Sequence, residues 1–515
     1  MPDAVVPLAA QSVHGTVWTL ANRFGVVARS PGELVGALTG LGLTGAAVVT
    51  SPPAAGEPAE VAELVRALRD LGHIRLVTPP GREPGNGVDG RPAPEPETAP
   101  RPPGTAPDAG VDGLGREASA GPSDLGDPAV VCAADPVGVT AAYEHGTDAP
   151  GGGPDGGPGG GGGPGEHGGS YRRPDEHGGS YRRPDEHGGS YRRPDEHGGR
   201  HRRPDASDGR DEHGGLRAAW FRAGQSLIRE QPPAERALVL LTALGDDADP
   251  RLRPALNALA ATATWRSDWT RVRGDVAPPW PGPVAALAQG TGRWAEHLLV
   301  ADQRGAIRSV RPADAAPAPG TATMPVRITA LAPLPDGTLL MLDERGRLRA
   351  HGETPLTDAV AATLDAHPGT ALAATGRLVL VGDRHGSLHA FGYDGMHQAA
   401  AHRGRVTAVA VADGPAPLVC SGGADGTVRT WTPGRGPENT PFAERDFPVT
   451  ALAVHGRTLA VAWADGLVEL RRLGTAEALP LRPGPPVRAV AVAGERSVVI
   501  GTDDTLFRVT ARALS

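Results

Sequence analysis

Residues 417–431 read Pro-Leu-Val-Cys-Ser-Gly-Gly-Ala-Asp-Gly-Thr-Val-Arg-Thr-Trp. An apolar run ends at Ser421, Asp425-Gly426 forms a tight turn, and Val428 and Thr430 then alternate with Arg429. An Asp-Gly pair between alternating apolar segments is a strong hairpin signal, because the turn requires positive φ and glycine adopts it without a Cβ clash. The same turn recurs through the C-terminal half. Its glycine falls at Gly305, Gly346, Gly386, Gly426 and Gly466, and a further copy, Asp504-Thr505, has lost it. The interval stays near about 40 residues, the period of a four-stranded propeller blade. An apolar strand precedes each turn, such as Leu339 to Met341, and another follows it. A third, inner strand lies further upstream, as in Val406 to Val411 or Val487 to Val492.

His402-Arg403-Gly404-Arg405-Val406-Thr407-Ala408-Val409, followed by Ser421, Asp425 and Trp431, resembles one repeat of the WD-repeat (WD40) β-propellers. In that family a histidine before the inner strand, a Ser or Thr, the turn aspartate and the tryptophan form a buried hydrogen-bond network. The resemblance implies that His402, Ser421, Asp425 and Trp431 hold the fourth blade together and perform no chemistry. The fifth unit keeps Asp465 but has Arg471 where tryptophan is expected. The resemblance covers roughly the last 240 residues and implies an all-β propeller over 265–515. Six blades are counted; a seventh, degenerate one would have to lie in 312–324 or before Pro278. Ring closure is expected from Trp269–Val276 pairing beside Leu506–Val509, since an open ring would expose strand edges.

With 515 residues the chain has room for about three domains. Its 73 glycines and 53 prolines exclude much of it from packed core. Lysine is absent, so arginine carries all side-chain positive charge; with abundant Ala, Gly and Pro this reads as high-GC codon usage, and a bacterial origin is expected. A net charge of −8 argues against general affinity for nucleic acid, which requires phosphate neutralisation. Cys132 and Cys420 make neither a disulfide framework nor a metal-ligand spacing. No apolar run reaches the roughly 20 residues of a membrane span. A basic leader before an apolar core is missing, so a cytoplasmic location is the expectation.

From Phe24 to about Pro79 strands and helices alternate: Val26 to Ala28, a helix from Pro31, Ala46 to Val49, a helix from about Pro58, then Ile74 to Val77. Ser30 with Glu33 makes a capping box and Pro31 occupies the first helical position. Ala129 to Cys132, ending at Asp135-Pro136, reads as a further strand of the same small α/β unit, spanning 1–80 and 127–147 with a parallel sheet. Open parallel sheets bind ligands at the carboxyl ends of their strands. Ser30, Thr50, Ser51, Thr78 and Asp135 would gather there, as a nucleotide or anion edge or simply as helix caps. Gly40 to Gly45 fits G-x-G-x-x-G, yet it follows a helix and precedes a strand, the reverse of the dinucleotide fingerprint.

Residues 81–126, rich in Pro, Gly, Ala and acidic residues, read as a disordered insertion, and 148–215 as a disordered linker. The linker carries a ten-residue repeat beginning at Glu166, Glu176 and Glu186. Metal capture, nucleic-acid contact, a partner array and an inert spacer are the readings, and its near-neutral, unorganised composition favours the spacer. Over 216–264 the pattern turns helical, with Leu216, Ala219, Trp220, Ala223 and Leu227 on one face. These helices either form a bundle between the ordered ends or pack on the propeller.

No nucleophile constellation, phosphate loop or metal spacing emerges. Arg308, Arg349, His389, Arg429, Glu469 and Arg508 share one position in the repeats and would suit an acidic partner as a ring, though arginine is common on any surface. The expectation is a non-enzymatic protein-interaction scaffold without cofactor, catalytic site or metal. The alternative is a nucleotide- or small-ligand-binding α/β unit, enzymatic or not, targeted by the propeller.

Overall fold

The computed structural model describes residues 12–40, 46–49, 59–71, 74–77, 125–145, 213–275, 280, 282–414, 416–436, 438, 440–484 and 486–512. The insertion up to residue 124, the decapeptide repeats and Thr50, Ser51 and Thr78 lie outside these. The C-terminal half is a β-propeller of six sheets. In blade 1 the strands Val284–Gln289, Leu298–Asp302, Ala306–Val310 and Pro317–Thr323 follow one another outward from the axis. Blades 3, 4 and 5 repeat this order, starting at Gly369, Val406 and Val449. Blade 2 has three strands, Ile328–Pro333, Leu339–Asp343 and Leu348–His351, and a helix, Thr357–Ala366, follows where an outer strand would run. Blade 6 takes its outer strand from far upstream. Trp265–Val272 pairs antiparallel with Thr505–Ala511, setting Thr270 opposite Phe507 and Trp265 opposite Ala511; the ring closes beside the expected final strand, but the closing strand lies four residues upstream of the expected Trp269–Val276.

Two residue choices bring the blades together. Gly382, Gly422 and Gly501 precede the turns of blades 3, 4 and 6, and each leaves room for the first valine of the next blade. A Cβ on them would meet Val406, Val449 or Val284 at 2.4, 2.4 or 2.6 Å. Between blades 2 and 3 the sizes are exchanged, with Leu342 against Gly369. The second feature is a bulge after the first residue of every inner strand, at Ala285, Thr329, Thr370, Thr407, Thr450 and Arg488. A bulge frees a carbonyl on the partner strand. The threonine hydroxyls of blades 2, 3 and 4 take up these carbonyls, from Leu342 (3.2 Å), Gly382 (3.1 Å) and Gly422 (3.0 Å).

The described N-terminal residues are mainly helical: α1 (Val13–Phe24), α2 (Pro31–Gly40), α3 (Ala59–Asp70), α4 (Pro128–Ala133) and α5 (Pro136–His145). A two-stranded parallel pair, Ala46–Val49 with Ile74–Val77, matches the expected sheet in part. Two expected strands are corrected. Ala129 to Cys132 lies in α4, where Asp127 caps the amide of Ala129 at 2.8 Å and Pro128 opens the helix. Val26 to Ala28 pairs with no strand among the described residues, and a side chain takes up its backbone instead: Gln225 donates to the Val26 carbonyl (2.6 Å) and accepts from the Ala28 amide (3.3 Å).

Helices α6 (Leu216–Ala223), α7 (Pro233–Leu241) and α8 (Leu252–Leu259) join the same core as α1, α4 and α5. That core continues into Val468, Leu470, Leu481, Phe507 and Val509 of blades 5 and 6, so the helices form a layer on the propeller. Trp220 and Trp265 are fully buried within it.

Candidate interaction surface

In the first three blades the turn is held by a side chain three residues before its glycine. This is Asp302, Asp343 or Asp383. One carboxylate oxygen accepts two turn amides, as Asp343 Oδ1 does from Arg345 (3.0 Å) and Arg347 (2.9 Å). The other oxygen meets a basic residue six positions on: Arg308 at 2.8 Å, Arg349 at 3.0 Å, His389 at 3.1 Å. Burial opposes ionisation of Asp343 and Asp383, but the turn amides and these basic partners outweigh it and hold both below the usual carboxylate range.

Blade 4 solves the same problem differently. Its residue at that place is Gly423, and the imidazole of His402 fills the space: a Cβ there would lie 2.4 Å from His402 Nδ1. Nδ1 lies 3.1 Å from both Asp425 Oδ1 and Thr427 Oγ1, and Nε2 lies 2.9 Å from Ser421 Oγ. Burial lowers the pKa of His402 despite the Asp425 carboxylate, so the ring is neutral, with Nδ1 donating and Nε2 accepting from Ser421. His402, Ser421 and Asp425 are thus together. Trp431 stands apart and donates to the Arg435 carbonyl at 2.8 Å. In blade 5 the polarity reverses, with Trp463 Nε1 donating to Glu469 at 2.9 Å.

The six residues Arg308, Arg349, His389, Arg429, Glu469 and Arg508 therefore do not ring the channel. They sit on the third strand of each blade, and most serve partners in their own sheet; Arg508 bonds Ser497 (2.7 Å) and pairs with Asp268 (3.2 Å) there, and also reaches the Pro312 carbonyl (3.0 Å). The inner strands line the channel. Its mouth on the turn side is a space of about 90 Å³ bounded by the bulged residues, and most of the threonine hydroxyls there are engaged with carbonyls.

Among the described residues the helical layer meets the turn side at blades 5 and 6. Gly25 packs on Phe447, Arg29 pairs with Asp504 (2.9 Å), and Ser226 donates to the Arg482 carbonyl. Asp465, buried in the blade 5 turn, receives both Nη atoms of Arg445 (2.9 and 3.0 Å) and one of Arg482 (3.0 Å). Burial alone would raise its pKa; the two guanidiniums reverse the sign and lower it. Arg229 of the layer faces this cluster, its pKa lowered to about 10 by burial and by the charge of Arg482. In blades 1 to 4 the tips are open: Arg304, Arg345, Arg384, His385 and Ala424 are exposed.

Of the proposed ligand edge, Ser30 accepts from the amide of Glu33 (3.2 Å) and Asp135 from that of Gly138 (2.8 Å), both as caps. Burial raises the thiols of Cys132 and Cys420 to about 12, which keeps them from acting as thiolates near neutral pH. Among the described residues no group of three His, Cys, Asp or Glu could hold a metal ion, and no helix is long and apolar enough to cross a membrane.

Repeated four-strand sheets, glycine turns and the His402–Ser421–Asp425 arrangement make the C-terminal half a six-bladed WD40-like β-propeller. No family model matches the chain, and no curated protein does. Among solved structures it is similar to the computationally designed Ika8 protein, at 21% identity over 46% of this chain and 73% of that one, with a TM-score of 0.31. It is similar also to the RRP9 WD40 repeats (12% identity, 48% and 100% covered, TM-score 0.36) and to U3-55K (10%, 47% and 98%, TM-score 0.34).

Proposed function

We propose that the chain is a non-enzymatic interaction scaffold that receives a protein partner on the turn side of blades 1 to 4. The observation that carries this reading is the asymmetry of that face. The helices bury the blade 5 turn, where Asp465, Gly466 and Leu467 are inaccessible, and leave the tips of the first four turns in solvent. Rigid sheets beneath exposed loops suit docking, because the loops are positioned without an ordering cost on binding. The polar groups of the blades are largely spent on holding the turns, which leaves shape and surface charge as the means of recognition. The test places a photo-cross-linking residue in the full-length chain, in its native host, at Gln303, Glu344 or His385, and on the opposite side at Arg377 or Tyr393. Partner protein cross-linked from the first set only is the expected result. Cross-links confined to the opposite side, or none at all, overturn the assignment.

A further inference from the structure

The exposed tips carry one sign of charge. Blade 1 contributes Arg304 and the loop entering blade 2 contributes Arg327. The blade 2 turn adds Arg345 and Arg347, and the blade 3 turn Arg384. The loop entering blade 4 adds Arg403 and Arg405. All are exposed, and none has a carboxylate within ion-pair distance among the described residues. They lie on adjoining segments: Met324 donates to Gly305 (2.9 Å), Glu344 to Arg327 (3.1 Å), Gly369 to Gly346 (2.9 Å), His402 to Gly386 (3.1 Å) and Ala424 to Arg405 (2.9 Å). The carboxylates nearby are mostly committed. Asp302, Asp343, Asp383 and Asp425 turn inward onto amides and basic side chains, which leaves Glu344 within the arc. Asp365 precedes the loop into blade 3, and Glu444 and Asp446 mark where the arc ends at blade 5.

We infer that this arc binds a carboxylate-rich polypeptide segment of the partner, an inference that rests on the turn-side reading above. A chain of net charge −8 concentrates guanidiniums that have no carboxylate partner among the described residues on the turn-side sector that the described helices leave bare. Guanidinium forks match carboxylates in geometry, and a cationic surface speeds encounter with an acidic one. A nucleic acid fits less well. Binding of single strands uses aromatic platforms, and the exposed large hydrophobics among the described residues, Tyr393 and Met396, lie at the far end of blade 3. The overall negative charge also opposes a long polyanion, whereas a short acidic segment senses only the local field.

The experiment measures fluorescence anisotropy of a labelled poly-glutamate peptide with the full-length chain. Controls are a Gly/Ser/Gln peptide of equal length and a single-stranded oligonucleotide of equal charge. The variant Arg345→Gln/Arg384→Gln/Arg403→Gln removes charge at sites without a carboxylate partner among the described residues; Arg384 bonds only the His385 ring (3.0 Å). Arg377→Gln/Arg435→Gln/Arg472→Gln makes the same change on the opposite side. Binding of the glutamate peptide should fall about tenfold in the first variant and stay within about twofold in the second. It should weaken again between about 50 and about 300 mM salt. Three results overturn the inference: no peptide binding, equal loss in both variants, or tighter binding of the oligonucleotide. If the peptide fails while cross-links from the turn side persist, the acidic partner is rejected and the docking face stands; loss of those cross-links rejects the face itself.

Discussion

Replacing Asp465 by Asn tests how the helical layer is held on the ring. The carboxylate is 3% exposed and accepts both arms of Arg445 and one of Arg482. Neutralising it leaves Arg445, Arg482 and Arg229 facing one another with their counter-charge gone. Removing one partner of a buried pair costs about 3–5 kcal/mol. The Arg445 and Arg482 side chains remain 22% and 29% exposed, so water relieves part of the repulsion. The lower end, about 3 kcal/mol, is therefore expected. Because Ser226 and Arg482 are bonded at this junction, the loss should appear first as opening of the layer. Hydrogen exchange followed by mass spectrometry should show amide protection in α1 and α6 falling about a hundredfold, with blades 2 and 3 changed far less. The sign with pH follows from the lowered folded pKa. The contribution is present above the unfolded carboxylate value of about 3.9 and is lost as pH falls through the folded one, so mutant and parent converge in acid. A change under about threefold at neutral pH, or an equal loss across all blades, would refute the reasoning.

Gly386→Ala places a side chain at φ +94° with its Cβ 2.1 Å from the His402 carbonyl oxygen, and should cost about 2 kcal/mol or more in urea unfolding. His402 has its pKa lowered by burial, so the unfolded chain takes up the proton first, and stability drains away as pH falls below about 6.5. Urea midpoints compared at neutral and mildly acid pH should show that part of the dependence vanish in His402→Gln, and an unchanged dependence counts against a neutral buried ring. Arg236 is 6% exposed and donates through Nη1 to the carbonyls of Cys132 (2.7 Å) and Ala134 (2.8 Å), which end α4. Arg236→Met should cost about 2–3 kcal/mol by leaving both unpaired, as read by the thermal midpoint.

Where a structural rule is local and repeated, the residues announced it. The turn glycines, the inner strands and the strand that closes the ring were all readable, because each follows from a period of two within strands and of about 40 between blades. A finer rule is written in the same letters. Asp302, Asp343 and Asp383 each stand three residues before the glycine and six before Arg308, Arg349 and His389. Taken apart from the aspartates the basic positions form a ring of arginines, whereas the fixed spacing makes Arg308, Arg349 and His389 partners within one blade. Blades 4 and 5 hide the rule further, since Gly423 yields its place to an imidazole and Trp463 with Glu469 exchanges donor for acceptor.

The N-terminal half was harder for a physical reason. Val26 to Ala28 has the composition of a strand, and its backbone does require partners, but the amide that supplies them is Gln225, nearly 200 positions away in the chain. Likewise Val130 and Val131 favour a strand on propensity, and the Asp127–Pro128 start together with burial against α7 makes them helical. Such contacts leave no periodic trace. They nevertheless determine what the propeller can do, because a ring of near-equivalent blades has no preferred face of its own. By occupying the turns of blades 5 and 6, the helices break that equivalence and leave one charged sector exposed, the sector proposed above for docking. On the proposed reading, docking depends on the asymmetric half, while the symmetric half supplies the rigidity that lets exposed arginines keep their spacing.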